Sequence, residues 1–280
     1  MLLEMKNKQN IKKIIIYLLV ILVLIGCFVC YVILTKDQRY KDVVFEITYP
    51  SDTLFTVSDL EVYAKKNCPV IVEKLIDSVK LLDFKRNLEK YPYLESVDIV
   101  TNQGVVTVKA KQEKVIAKVF GTKNELFYLA KSGKILPNNS FSAGRVVVAN
   151  GNIPFQYKPL FFANAEEKND SLKNTKGNYS SIYTLWKIAA YLDENPFWKA
   201  QIGQLYVDEN GDIKLVPTVG NHLIVFGKIR YSHNASQVVE QRFDNLKNIY
   251  KQGFKITGWD RYKTINLKFG QEIPCERRVE

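Results

Sequence analysis

The sequence predicts an α+β protein made of one N-terminal transmembrane helix, a strand-helix-helix-strand-strand unit and a mixed β domain with flanking helices. Three observations carry this prediction. Ile14 to Leu34 is an uninterrupted apolar run without charge or proline. Residues 43–111 begin and end in alternating runs with helical spacing between them. Beyond Lys114 the chain turns to short alternating runs separated by turn residues, interrupted by two longer amphipathic stretches.

The apolar run fits the roughly 20 residues that cross a bilayer's hydrocarbon core, and a helix satisfies its own backbone there as a lone strand cannot. Lys6, Lys8, Lys12 and Lys13 precede it; Lys36, Arg39 and Lys41 follow. A short basic tail inside and a long domain outside is the expected orientation, because long domains translocate largely regardless of charge. The expected location is therefore the bacterial inner membrane, single-pass: residues 1–13 cytoplasmic, 14–34 spanning, 35–42 a connector and the remainder periplasmic. A cleaved signal peptide would need an Ala-x-Ala-like site, and none follows Leu34. Leu24-Ile25-Gly26-Cys27 resembles a lipobox, yet the run stays apolar through Phe28, Val29, Tyr31 and Ile33.

Val43, Phe45, Ile47 and Tyr49 alternate as one face of a half-buried strand. Pro50-Ser51-Asp52 breaks it, and Thr56-Val57-Ser58-Asp59 opens a helix to about Asn67. Pro69 to Lys80 is apolar without a clear period. Phe84 and Leu88 set a second short helix from Asp83 to Lys90, closed by Pro92. Val97 to Thr101 and Val105 to Ala110 then form a hairpin about Asn102-Gln103-Gly104.

Later strands are expected at Val115 to Phe120, Leu126 to Ala130, Arg145 to Ala149, Ile202 to Val207, Ile213 to Pro217 and Leu223 to Phe226. Asp208-Glu209-Asn210-Gly211 is a hairpin turn. Helices are expected at Tyr179 to Glu194 and Ser236 to Lys251, the second with Val239, Phe243, Leu246 and Tyr250 on one face. Ala163 to Asn178 reads as a polar loop. Thr264 to Phe269 is the last expected strand, with Ile265, Leu267 and Phe269 facing in. Such a strand either lies at a sheet edge, open to a partner's strand, or is an interior strand with no partner role.

The formal charge of +11 would suit nucleic acid in the cytosol, but outside the membrane no nucleic-acid partner is expected. The basic residues are mixed with acids, as in Lys85-Arg86-Asn87-Leu88-Glu89-Lys90, in the manner of solvated helix faces. The juxtamembrane lysines would suit anionic lipid headgroups. Cys27 and Cys30 lie in the apolar run, where membrane packing explains their spacing. Cys68 and Cys275 allow at most one disulfide, and two thiols are the expectation.

His222 and His233 lack metal-ligand spacing. There is no Gly-x-Ser-x-Gly elbow, phosphate-binding glycine loop or His-Glu-x-x-His. No catalytic, cofactor-binding or metal residue is assigned, and neither an enzymatic activity nor a small-molecule substrate is expected. The enzymatic alternative is an anchored glycosyltransferase, for which Asn138-Asn139-Ser140, Asn178-Tyr179-Ser180 and Asn234-Ala235-Ser236 would serve as glycosylation acceptors. It lacks the Asp-x-Asp motif by which many such enzymes hold metal and nucleotide.

The order of elements resembles the bacterial cell-division family FtsQ, called DivIB in Gram-positive bacteria, and most closely its Bacteroidetes branch. Tyr91-Pro92-Tyr93-Leu94-Glu95-Ser96-Val97 resembles the turn into the second strand of that family's POTRA domain. Gln112-Glu113-Lys114-Val115-Ile116-Ala117 resembles the step into its β domain, with Glu and Val where the family pattern has Arg and Pro. Tyr128-Leu129, Gly133 and Leu136-Pro137, then Leu215 to His222 and Trp259-Asp260-Arg261-Tyr262 through Ile265-Asn266-Leu267, follow in the family's order.

The resemblance implies a POTRA domain at 43–111, a β domain at 112–270 and a charged tail at 271–280. It implies a non-catalytic divisome scaffold at the septum, without cofactor, that binds FtsB-like and FtsL-like partners and other divisome components and regulates septal peptidoglycan synthesis. In that family the partner adds a strand at the C-terminal edge of the β domain. The matching positions are Trp259, Tyr262, Thr264, Ile265, Asn266, Leu267 and Lys268, with the backbone giving register and the two aromatics serving as anchors or as ordinary core. A second non-enzymatic reading, an outer-membrane assembly factor, would need tandem POTRA units and a barrel of roughly ten-residue strands.

Overall fold

The computed structural model describes residues 17–31, 39–50, 52–72, 78–123, 125–138, 144–153, 178–230, 232–270 and 272–278. Residues 17–31 form helix α1, with every side chain exposed. Among the described residues no helix is long and apolar enough to cross a membrane. The expected span, 14–34, extends beyond the described residues at both ends. The expected loop at 163–178 likewise lies outside them except for Asn178.

The chain divides into two compact units. The first comprises Met1–Glu46, Glu61–Leu88 and Asp98–Lys109. The second comprises Ile47–Leu60, Glu89–Val97 and Ala110–Glu280. Between residues 42 and 112 the order is β1 (Asp42–Thr48), α2 (Val57–Asn67), α3 (Ser78–Leu88), β2 (Leu94–Asn102) and β3 (Val105–Gln112). The strands make a three-stranded sheet in the order β1-β3-β2.

Local chemistry accounts for these boundaries. Thr56 and Asp59 cap α2 reciprocally: the Thr56 backbone N–H donates to Asp59 Oδ2 at 2.8 Å, and the Asp59 N–H donates to Thr56 Oγ1 at 3.2 Å. The Thr56 N–H and hydroxyl both donate to Asp59 Oδ2 and hold that carboxyl below its usual range. The β2-β3 turn needs left-handed backbone, found at Gln103 (φ 49°) and Gly104 (φ 85°). Helix α3 starts earlier than expected, at Ser78; Phe84 and Leu88 are buried, as the spacing predicts.

The second unit contains a nine-stranded mixed sheet in the order β12-β11-β10-β9-β8-β7-β4-β5-β6. Its strands are β4 (Val115–Phe120), β5 (Leu126–Ala130), β6 (Ile135–Pro137), β7 (Val147–Gly151), β8 (Ile202–Val207), β9 (Ile213–Pro217), β10 (Leu223–Val225), β11 (Tyr262–Asn266) and β12 (Cys275–Arg277). Pairs β4/β7, β7/β8 and β10/β11 are parallel. Helices α4 (Asn178–Glu194), α5 (Pro196–Gln201) and α6 (Ala235–Asn248) accompany the sheet.

The core lies between the sheet and α4 and α6. Ile182, Leu185, Ile188 and Leu192 from α4 meet Val239, Phe243 and Leu246 from α6 in one buried cluster with Val119, Leu205, Leu215 and Ile265. Tyr191 and Phe243 stack at 4.5 Å between the helices. Trp186 Nε1 donates to the Ala130 carbonyl at 3.1 Å, which satisfies the indole N–H where water cannot.

Polar ties cluster at residues 112–113. The Gln112 amide is fully buried; its oxygen accepts from the Leu54 N–H at 2.7 Å and its nitrogen donates to the Asp52 carbonyl at 2.9 Å. The Glu113 carboxylate is buried beside Lys134 Nζ at 3.2 Å, and burial raises its pKa. Asp193 is bridged by Lys114 Nζ at 2.6 Å and Lys199 Nζ at 3.1 Å. Burial pushes that carboxyl up, and the two lysines outweigh it and hold it below the usual range.

Candidate functional site

The chain between residues 249 and 278 builds the C-terminal end of the sheet. Helix α6 passes into a π-turn at Ile249–Gly253 and then α7 (Phe254–Thr257). The wider turn rephases the helix and leaves Tyr250 and Phe254 both buried. Gly258 ends α7 at φ 80°, its N–H donating to the Phe254 carbonyl. That left-handed residue swings Trp259 back over the helix end.

Trp259 therefore covers an aromatic cluster. Its ring lies 4.9 Å from Tyr250, 4.9 Å from Phe254 and 6.2 Å from His222, and the residue remains 37% exposed. Tyr262 is half-buried and stacks on Phe254 at 6.1 Å. Ile256, three residues before Trp259, is exposed, as is Val219, three residues before His222.

Beneath the tryptophan, His222 Nε2 and the Tyr250 hydroxyl share a hydrogen bond of 2.9 Å. His222 Nδ1 is buried with no partner among the described residues. Burial, then the neighbouring Arg278 charge, lowers the imidazole pKa, and Asp260 opposes them weakly. Burial also pushes the Tyr250 phenol far above its ordinary value. Both rings are thus neutral around pH 7, and Gly220 (φ 89°) keeps the space beside them clear: a Cβ there would sit 2.8 Å from the imidazole.

Strand β11 is the strand the sequence points to, but it is not the sheet edge. One side pairs parallel with β10, Leu223 opposite Thr264 and Val225 opposite Asn266. The other pairs antiparallel with β12, Thr264 opposite Glu276 and Ile265 opposite Cys275. The expectation that Thr264 to Phe269 is the last ordered element is corrected: residues 275–277, read as charged tail, form a further strand. The strand itself ends at Asn266, and Phe269 is 62% exposed instead of facing in. The reason is local, since the Asn266 side-chain oxygen accepts from the Lys268 N–H at 3.1 Å and turns the chain out of the ladder.

The seven predicted positions divide by environment. Ile265 and Leu267 are core residues at 0% and 1% exposure. Lys268 Nζ is tied to Asp212 Oδ2 at 2.6 Å, and its stem lies against Gly227. The Thr264 hydroxyl donates to Glu276 Oε2 at 2.9 Å, and the Asn266 N–H donates to the Pro274 carbonyl at 3.0 Å. Trp259 and Tyr262 alone present part of an aromatic ring outward from a packed base. Sequence reasoning missed β12, whose only signal is the alternation of Ile273 and Cys275 about Pro274.

The surroundings are basic: Lys255, Arg261, Lys263, Arg277 and Arg278 are exposed, against Asp260, Glu272 and Glu276. Among the described residues no three metal-ligating side chains converge. A model of the family described as "FtsQ/DivIB, C-terminal related" matches residues 114–276, more than half of the chain, from the threshold of β4 into β12. The chain belongs to the FtsQ/DivIB C-terminal related family. No curated protein matches it. The family match thus includes β11, most of β12 and the aromatic cluster.

Proposed function

We propose that this chain is a non-catalytic scaffold of the cell-division machinery. Family membership supports a role in cell division. On this reading residues 14–34 anchor the chain in the inner membrane, residues 43–111 are a POTRA domain, the FtsQ/DivIB β domain begins at 112 and runs past the expected limit of 270 to include β12, and the bulk of the chain is periplasmic at the septum. The β domain binds FtsB-like and FtsL-like partners through the C-terminal end of the sheet, and so regulates septal peptidoglycan synthesis.

The observation that supports the binding face is Trp259: an aromatic residue packed on three rings yet part exposed, beside a strand and inside the matched region. A rigid, half-buried aromatic loses little conformational freedom when a partner covers it, which is why such residues dominate interface energetics. The surrounding positive charge favours an acidic partner and speeds encounter.

The experiment is depletion in the host with fluorescent localisation, joined to co-purification from detergent extracts. Filamentation, septal fluorescence and loss of FtsB-like and FtsL-like proteins from Tyr262→Ala are the expected results. Normal septation with even envelope fluorescence would overturn the cell-division reading, and unchanged partner recovery would overturn the face. Tyr262→Ala is the informative variant because Ile265 lies inside the sheet core, so proline there would break the fold as well as any interface.

A further inference from the structure

We propose that β12 is a placeholder strand, displaced from β11 by an extended segment of the partner that copies its pattern of two alternate apolar residues followed by an acid. This rests on the reading that the C-terminal end of the sheet is the partner-binding face. It adds how that face is kept covered and what chemistry the incoming segment carries.

The two sides of β11 are held very differently. Toward β10 the strand is fixed by the parallel ladder and by Ile265 and Leu267, both within the core. On the other side β12 is three residues long like β10, but where β10 buries Ile224 completely, Cys275 of β12 is half-buried and Glu276, Arg277 and Arg278 are exposed. Its ladder with β11 is irregular, with a register shift between Tyr262 and Thr264. Besides the edge packing of Ile273 and Cys275, what holds it is polar and at the surface: Asn266 N–H to the Pro274 carbonyl, Arg278 N–H to the Arg261 carbonyl, and the Arg278 guanidinium on the Asn221 carbonyl. The Lys263–Glu276 ion pair spans 3.3 Å with both side chains more than half exposed, a kind of pair that contributes little. Backbone bonds of this sort are replaced one for one when another strand takes the same place, so β12 can leave while β11 stays.

The placeholder also reads out what would replace it. Ile273 and Cys275 pack on the edge of the core, two residues apart and hence on the same face of an extended chain. Glu276, next along, places its carboxylate on the Thr264 hydroxyl and Lys263. A competing segment therefore runs antiparallel to β11 and carries apolar side chains at two alternate positions followed at once by an acid. Longer than three residues, it would continue toward Trp259 and Tyr262, where exposed Lys255 and Arg261 favour further acids.

The test uses the full chain in detergent with Thr264→Cys and Glu276→Cys introduced together, since those side chains already meet at 2.9 Å. Oxidation locks β12 onto β11; reductant frees it. The probe is a fluorescent peptide of the sequence of residues 272–278 with Ser for its Cys, alongside capture of the native FtsB-like and FtsL-like proteins. The reduced form is expected to bind the peptide at least about ten-fold more tightly than the oxidised form, with binding restored by reductant. Glu276→Lys in an otherwise unchanged chain is expected to raise peptide affinity by loosening the placeholder, and a peptide with Lys for its Glu is expected to bind several-fold more weakly.

Equal binding by oxidised and reduced forms overturns the proposal and puts the partner on the outer edge of β12 or elsewhere. Equal binding by the charge-reversed peptide overturns the acidic pattern. If Trp259→Ala and Tyr262→Ala reduce native capture while the lock does not, the binding face stands and the exchange falls. If the lock blocks the peptide but neither aromatic matters for native capture, the exchange stands and the face falls.

Discussion

Replacing Trp259 by alanine removes a ring that closes the aromatic cluster over His222, Tyr250 and Phe254. The residue is 37% exposed, so roughly two-thirds of its surface is covered; for an aromatic of this size that is on the order of 150 Å². At about 25 cal/mol per Å² the burial is worth no more than about 4 kcal/mol. A compact unfolded state lowers this by roughly 10–40%, leaving about 2–3 kcal/mol. Urea unfolding of the full chain in detergent, followed by fluorescence of the remaining tryptophans, is expected to show a lower midpoint with unchanged slope. Stability of this order leaves the chain folded at room temperature, so the same variant reports on binding, where a loss of at least about ten-fold is expected of an anchor residue. Trp259→Phe should recover most of the stability and little of the binding. A stability loss below about 0.5 kcal/mol, the scale of an ordinary surface substitution, would mean the ring is not packed as described and would refute the reasoning.

His222 is held below its ordinary pKa by burial, so the unfolded chain takes up a proton that the folded chain refuses as pH falls through about 6.5. Stability is then lost with acidification, no more steeply than about 1.4 kcal/mol per pH unit; His222→Gln should flatten the curve between pH 5 and 7, and parallel curves would count against the assignment. Gln112→Ala leaves the buried Leu54 N–H and the Asp52 carbonyl without their side-chain partner, at about 2–4 kcal/mol for the two bonds, measurable as a lowered urea midpoint. Asp193 has a folded-state pKa below its unfolded value, so its contribution is present above pH 3.8 and lost as pH falls through the folded value. Asp193→Asn should destabilise at neutral pH and shrink the acid-induced loss, whereas an unchanged acid midpoint would remove the Lys114–Asp193–Lys199 bridge from the account.

Periodicity made much of the fold legible. The stripe Val239, Phe243, Leu246 and Tyr250 is buried throughout, because a helix that packs on a sheet must show one apolar face. The hairpins at Gly104 and Gly211 follow from residues that tolerate left-handed backbone. Elements too short to show a period escaped: three-residue β6, six-residue α5 and three-residue β12. Strand β7 begins at Val147 instead of Arg145, a shift that local alternation does not resolve because its position depends on pairing with β4 and β8.

For the candidate site, the sequence alone determined that Ile265 and Leu267 face the core, since side-chain alternation is a property of the strand itself, whereas Tyr262, expected before the strand, is its first residue. Only the tertiary structure decided what lies on either side of that strand. Its neighbours are β10, some forty residues earlier, and β12, reached after a turn, and neither partnership leaves a local signal. Strand pairing is made by backbone groups that every residue carries, so the chain's chemistry says which segments can form strands, and the packing of the whole core says which of them come to lie side by side.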